Sequence, residues 1–306
     1  MEFNLLRKDN SVPGLCCLYL LPDKLIVTHA LTQERTTPVI TFIEVNVYKP
    51  NTLKAALRSI IKKHGFQNVA CTWVLHASDY QFFLLDPPAV TEDEIPLALR
   101  WQIKELINFP AEEAAIEYFS IPAPLEHKNK MAVACAKLSV LQATANVIHD
   151  AGFQLKYIDI PELALRNITA LYGDDTCYLG LLAFHHNTIE LIITHEKNLL
   201  LSRRLKIPEG NTPSLTTAFL NTLIDEIQRS FTYCKSQQQK ELPGKILVST
   251  EIPTLVGQLN QLLNFTSEAL AVSEKITFEF LLAQQNNYIP LDYLIAFGAA
   301  LRKEDG

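Results

Sequence analysis

The sequence predicts an α/β chain made of two similar halves, with a small α/β subdomain inserted in the first. Three observations point there. The order strand-strand-strand-helix-strand occurs twice along the 306 residues. Its strand-like stretches are apolar runs punctuated by Pro, Asp and polar residues, whereas its helical stretches space apolar residues three and four apart. Between the repeats lies a segment with a helix start signal of its own. At 48% hydrophobic and 20% charged residues the chain has ample material for a core, and its length suits two lobes.

Residues 14–21, 24–31 and 39–48 read as strands, rich in Val, Ile, Leu, Tyr or Phe. A helix follows, with Asn51 as its expected cap. Leu53, Ala56, Leu57, Ile60 and Ile61 form one face, and Gly65 ends it behind Lys62, Lys63 and His64. Residues 69–76 make the next strand. The inserted segment starts with strand 80–85 and Asp86-Pro87-Pro88. A helix then begins at Thr91, where Thr91 and Glu94 form a capping box, and runs to about Asn108 and Pro110. Strands 115–121 and 131–136 complete the unit, and Ser139 and Gln142 are placed to cap a helix ending near Gly152. The second half has strands 177–184, 188–194 and 199–207. A long helix over 216–234 carries Leu220, Leu223, Ile224, Ile227, Phe231 and Cys234 on one face. After a loop at 237–244 come strand 245–249 and a helix near Pro253, with Leu255, Leu259, Leu262 and Leu263 on one side. Meanders followed by crossover helices are the element order of the actin-like (ribonuclease H-like) fold. The expected division is 1–79 for the first half, 80–137 for the inserted subdomain and 138–175 for the helical return and connector. Residues 176–290 form the second half, and 291–306 a C-terminal helix packing on the first. The inserted unit is expected to project from the first half.

Net charge is -6, from 27 basic and 33 acidic residues, with no Lys/Arg run, so nucleic acid is not an expected partner. Cys16, Cys17, Cys71, Cys135, Cys177 and Cys234 form no C-x-x-C pair, and five of the six lie in apolar segments. They read as reduced core residues. The short apolar run after Arg7 and Lys8 lacks a cleavage site, Glu2 and Asp9 cancel its charge, and no stretch reaches the roughly 18–20 apolar residues that span a bilayer. A cytoplasmic chain without a membrane span is expected.

Glycine is informative by its absence. There are only 10, none closer together than Gly173 and Gly180, so no G-x-G-x-x-G and no P-loop can be written. No cofactor is expected. Among eight histidines, His186 and Glu190 would share one strand face and His185 and His195 the other, without H-E-x-x-H or a cysteine cluster, and no metal site is expected. No G-x-S-x-G elbow exists. Cys16 and Cys17 would point to opposite faces of a strand as core filler. Glu112-Glu113 and Asp174-Asp175 read as solvated loop acids. The inserted unit is rich in aromatics: Tyr80 and Phe82 on one strand face, Trp101 on the helix, Tyr118 and Phe119 on the next strand. They serve either as its own small core or as a groove receiving an extended or helical peptide.

Four segments carry a resemblance. They are EIPLALRWQIKELI over 94–107, IDIPELALRN over 158–167, EIQRS over 226–230 and AFGAALR over 296–302. In this order they resemble the PilM-like family of type IV pilus assembly proteins, and the cytoplasmic part of the type II secretion protein GspL is similar in plan. The resemblance implies an actin-like fold with an inserted subdomain and a cytoplasmic protein peripheral to the inner membrane. It also implies a grip on the N-terminal cytoplasmic tail of a single-span inner-membrane assembly protein, and contact with a secretion-type ATPase. Trp101, Tyr118, Tyr80 and Phe82 are the residues expected to receive the tail. ATP-binding members carry Asp-x-Gly-Ser-Ser in the first hairpin, where this chain has Tyr19-Leu20-Leu21-Pro22-Asp23. Their second loop, Asp-x-Gly, is matched by Leu182-Ala183-Phe184, and their Gly-Gly-Gly turn by Ser249-Thr250-Glu251. Tyr19, Leu21, Leu182, Phe184 and Thr250 therefore mark a degenerate nucleotide site without carboxylates for Mg²⁺. A non-enzymatic scaffold is expected; the alternatives are an active actin-like ATPase or sugar-kinase relative, and a hydrolase, for which no motif speaks.

Overall fold

Two strands with both faces apolar, followed by one that alternates, set up the first sheet. In the computed structural model of the chain these are β1 (Leu15–Leu20), β2 (Lys24–Leu31) and β3 (Val39–Val47), joined as an antiparallel meander. The structure describes residues 12–33, 36–121, 129–173, 176–185, 188–207, 216–240, 242–280 and 288–303. Glu2, Arg7, Lys8, Asp9, Asp174, Asp175, His186 and Asn187 lie outside them. β1 and β2 are buried on both faces, as their continuous hydrophobic reading requires, while β3 grades from buried to exposed. α1 (Leu53–His64) follows a 3-10 turn that contains Asn51, so Asn51 does not cap it. Instead Thr52 Oγ1 accepts the Lys49 N–H at 3.0 Å, and the helix ends on left-handed Gly65, whose N–H reaches Ile61 O. β4 (Ala70–Val74) then runs parallel to β1.

The inserted unit is β5 (Tyr80–Leu85), α2 (Ile95–Ile103), β6 (Ala114–Ile121) and β7 (Lys130–Lys137), with β7 central in an antiparallel sheet. Thr91 and Glu94 do form the capping box, ahead of a 3-10 turn. α2 is shorter than the sequence predicts. After Ile103 the chain folds back, with Leu106 N–H on Ile103 O at 2.8 Å, because Ile107 and Phe109 return to the same small core and Arg100 holds the carbonyls of Ala111 and Ala114. β7 alternates Met131, Val133 and Cys135 toward α2 with Ala132, Ala134 and Ala136 toward the main body. The unit does not simply project from the first half. Its second face, with Phe82, Leu84, Phe119 and Ile121, packs on both halves, since an insertion apolar on two faces needs cover on two sides.

α3 (Leu138–Ala151) starts one residue ahead of Ser139, with no side-chain cap, and β8 (Gln154–Asp159) joins parallel to β4. α4 (Pro161–Thr169) leads to the second half. There β9 (Tyr178–His185), β10 (Thr188–His195) and β11 (Asn198–Lys206) form the second meander. α5 (Thr217–Gln238) is capped by Thr216 Oγ1 on the Phe219 N–H. β12 (Gly244–Ser249), α6 (Leu255–Leu262) and β13 (Thr266–Ala269) follow, then β14 (Thr277–Phe278), which crosses back to the edge of β3, and α7 (Leu291–Ala300). The sheets read β14-β3-β2-β1-β4-β8 and β11-β10-β9-β12-β13. Each half thus has its meander flanked by two parallel strands entered through helices, the plan of the actin-like fold. α4 and α7 lie between the two sheets, and their apolar residues join both halves in one core cluster. They cross where Gly298 meets Ala164: a Cβ on Gly298 would sit 1.9 Å from Ala164 O.

Candidate functional site

A cleft of about 360 Å³ opens where the two hairpins and the start of α7 converge. The β1–β2 turn supplies Leu21, Pro22, Asp23 and Lys24, closed by Leu21 N–H on Lys24 O at 2.9 Å. β9 and β10 supply His185, Thr188 and Glu190, β11 supplies Arg204, and α7 supplies Leu291, Asp292 and Ile295. Tyr19 forms part of the wall, its phenol pushed well up by burial.

The cations of the cleft are paired. Asp292 lies between the halves, 2.8 Å from Lys24 Nζ and 3.9 Å from His185 Nε2. Arg204 Nε pairs with Glu190 Oε1. Behind them Tyr80 donates its hydroxyl to Glu162 Oε2 at 2.6 Å. Burial raises the Glu190 carboxyl to about 7 even with Arg204 beside it, and raises Glu162 as well. Both cations that line the cleft, Lys24 and Arg204, have a carboxylate partner, and Asp23 adds a third acid. Chemically it is a junction of paired cations between the halves, unlike the convergent N–H groups and cations that cradle polyphosphates. Sequence reasoning missed Lys24, Glu162, Arg204 and Asp292. The available signal was a charge set in an apolar run, as with Asp292 in the otherwise hydrophobic α7.

The nucleotide-loop positions separate. Tyr19 and Leu21 line the cleft, but Leu182 and Phe184 do not. β9 runs on to His185, so these two are strand residues buried in the second core, a correction to their assignment as loop positions. The fully apolar run hid where the strand ends. Thr250 follows β12, its Oγ1 accepting the Ile252 N–H at 3.1 Å.

The aromatic set also divides. Tyr80 is 7% exposed, and Phe82, partly buried, packs where three core clusters meet, so both serve the core. Tyr118 packs under α2 on the opposite face of the small sheet. Trp101 is 67% exposed on the outside of α2, with Lys104 Nζ 5.5 Å over its ring. Leu97, one turn earlier, is 63% exposed and joins it on that face. The four residues form no common groove, because the strand period sends neighbouring aromatics to opposite faces.

Among the described residues no group of His, Cys, Asp and Glu could hold a metal. His195 instead contacts Cys177 O and Glu196 at the far end of β10. Glu113 makes a surface pair with Lys137. Cys16 and Cys17 fill opposite cores, their thiols pushed up chiefly by burial. Among the described residues no helix is long and apolar enough to cross a membrane.

No protein-family profile matches the chain, and no curated protein does. Solved structures do. A chain of the PilM-PilN type IV pilus biogenesis complex is 16% identical with a TM-score of 0.67, over 94% of this chain and 98% of that one. The cytoplasmic domain of EpsL, an inner membrane component of the type II secretion system of Vibrio cholerae, is 10% identical with a TM-score of 0.51, over 95% of this chain and 96% of that one. The likeness spans nearly the full length of each partner, inserted subdomain included, and the fold they share is the actin-like one.

Proposed function

We propose that this chain is a cytoplasmic scaffold of a type IV pilus assembly platform, peripheral to the inner membrane. In this reading it grips the N-terminal cytoplasmic tail of a single-span assembly protein, contacts a secretion-type ATPase, and has no enzymatic activity. The observation that carries the reading is the whole-length similarity to a chain of the PilM-PilN complex. The four sequence segments support the finer version, MshI of the mannose-sensitive haemagglutinin pilus. The exposed pair Leu97 and Trp101 on α2 is the surface we assign to the tail. A short tail that orders on binding needs a large apolar anchor to offset its lost entropy, and an exposed Trp supplies one. The paired charges of the cleft and the absence of glycine in the β1–β2 turn support a role without ATP.

The test is capture of synthetic tails from neighbouring single-span pilus proteins by the purified chain. Binding by one tail, lost on Trp101→Ala with the melting temperature unchanged, is the expected result. No binding by any tail counts against the scaffold reading, and binding indifferent to Trp101 counts against the assigned surface.

A further inference from the structure

Among the described residues, the outer edge of the first sheet is open beyond Ile40. β14 pairs with β3 only at Val39 and Ile40, and its last contact is Glu279 N–H on Ile40 O. Beyond Ile40, no described residue pairs with β3 on that side. Tyr48 N–H reaches Asp23 O on the inner side, so in the alternating antiparallel ladder Phe42, Glu44 and Asn46 face β2. Ile43, Val45 and Val47 therefore turn their N–H and C=O groups outward. Their side chains share the face away from α1, and Val47 is 87% exposed and Val45 41%. From Phe42 to Val47 the edge carries neither Pro nor Lys, the usual protections against strand addition.

We propose that this edge is a homodimerisation surface, on which two copies of the chain pair β3 antiparallel about Val45. That register is self-complementary. Val45 meets Val45 of the second copy, and Ile43 meets Val47 twice, all β-branched pairs of the kind that stabilise sheets. On the other face Glu44 lies opposite Asn46 twice, acceptor to donor, as Asn46 Nδ2 already serves Glu44 within one chain at 3.1 Å. The neighbouring registers are worse. Centring on Glu44 sets two carboxylates face to face, and centring on Asn46 puts Ile43 against Lys49. The two first-half sheets would become one continuous sheet. Five residues a side make an interface well below the roughly 800 Å² per partner of standard complexes, so the dimer forms reversibly with concentration.

Sedimentation velocity over a concentration series tests this with two variants. Val45→Pro removes an outward N–H without touching the β2 ladder, and Val47→Lys places a charge on an exposed site. The expected result is a concentration-dependent rise to twice the chain mass that both variants abolish at unchanged melting temperature. Register is read by oxidation. In a hydrogen-bonded pair the Cα atoms are about 5.5 Å apart, within disulfide range, so Val45→Cys should cross-link to a covalent dimer. Val47→Cys should not, because two copies of that residue lie roughly 14 Å apart along the strands. A wild-type chain that stays monomeric at its highest soluble concentration overturns the proposal. So does a dimer that survives both variants, equal cross-linking at 45 and 47, or an edge occupied only by an extended segment of another protein.

Discussion

Gly298 shows how much one hydrogen atom decides here. Asn167 Nδ2 donates to its carbonyl at 2.9 Å, and the backbone of α4 lies directly against it. Gly298→Ala must push α7 from α4, and overpacking of this kind costs about 1–3 kcal/mol. The urea midpoint should fall with the slope unchanged. Arg302 Nη1 lies 3.1 Å from the buried Asp159 and its guanidinium 4.6 Å from the Tyr157 ring centroid. Asp159 is the second residue of the second resemblance segment and Arg302 closes the fourth, so the presence of both is accounted for by this buried ion pair. Trp101 is the opposite kind of residue. Trp101→Ala should weaken tail capture at least about tenfold, as for a central anchor, and leave stability within error. The sequence named it only as one of four residues expected to receive the tail, since sequence gives type and period but not which face remains uncovered.

At the scale of elements, β10 and β11 carry a titratable pair into the junction between the halves. Glu190 has a folded value of about 7, above its ordinary 4.5, so the folded chain binds the extra proton between those values. Stability attributable to this group is full below about 4.5 and is lost as pH rises through 7. Glu190→Gln should therefore flatten the decline in melting temperature between pH 5 and pH 7.5, a difference of at most ~3 kcal/mol. A profile with the wild-type slope would place the titration elsewhere. Element identity was largely legible because strands with two buried faces read as unbroken apolar runs. Element ends were not. The apolar run through Leu182 and Phe184 gave no hint that β9 continues to His185, and the capped start of α2 gave none of its early stop at Ile103.

For the whole molecule, the repeated order of elements pointed to the actin-like plan because each half closes its own sheet, and the family resemblance implied the same fold. The seating of the inserted unit on both halves could not be read, since it depends on which halves of an alternating pattern meet. The expected absence of nucleotide binding is tested on the whole chain. A ligand present at 100 times its Kd adds about 2.7 kcal/mol to folding. Melting with and without millimolar Mg-ATP should show no shift, and a saturable rise would favour the ATPase alternative.

The position of α7 bears on synthesis. β1 and β2 emerge from the ribosome early, yet one face of their sheet is covered by Leu294, Ile295 and Phe297. Until those residues appear, the nascent chain carries an uncovered apolar surface that includes Tyr19, Ile26 and Leu165. A chain stopped after Pro290 should accumulate as aggregate or bind chaperone, whereas one stopped after Arg302 should be soluble. The first half is begun before the second and completed after it, so its core is expected to close only once α7 has been made.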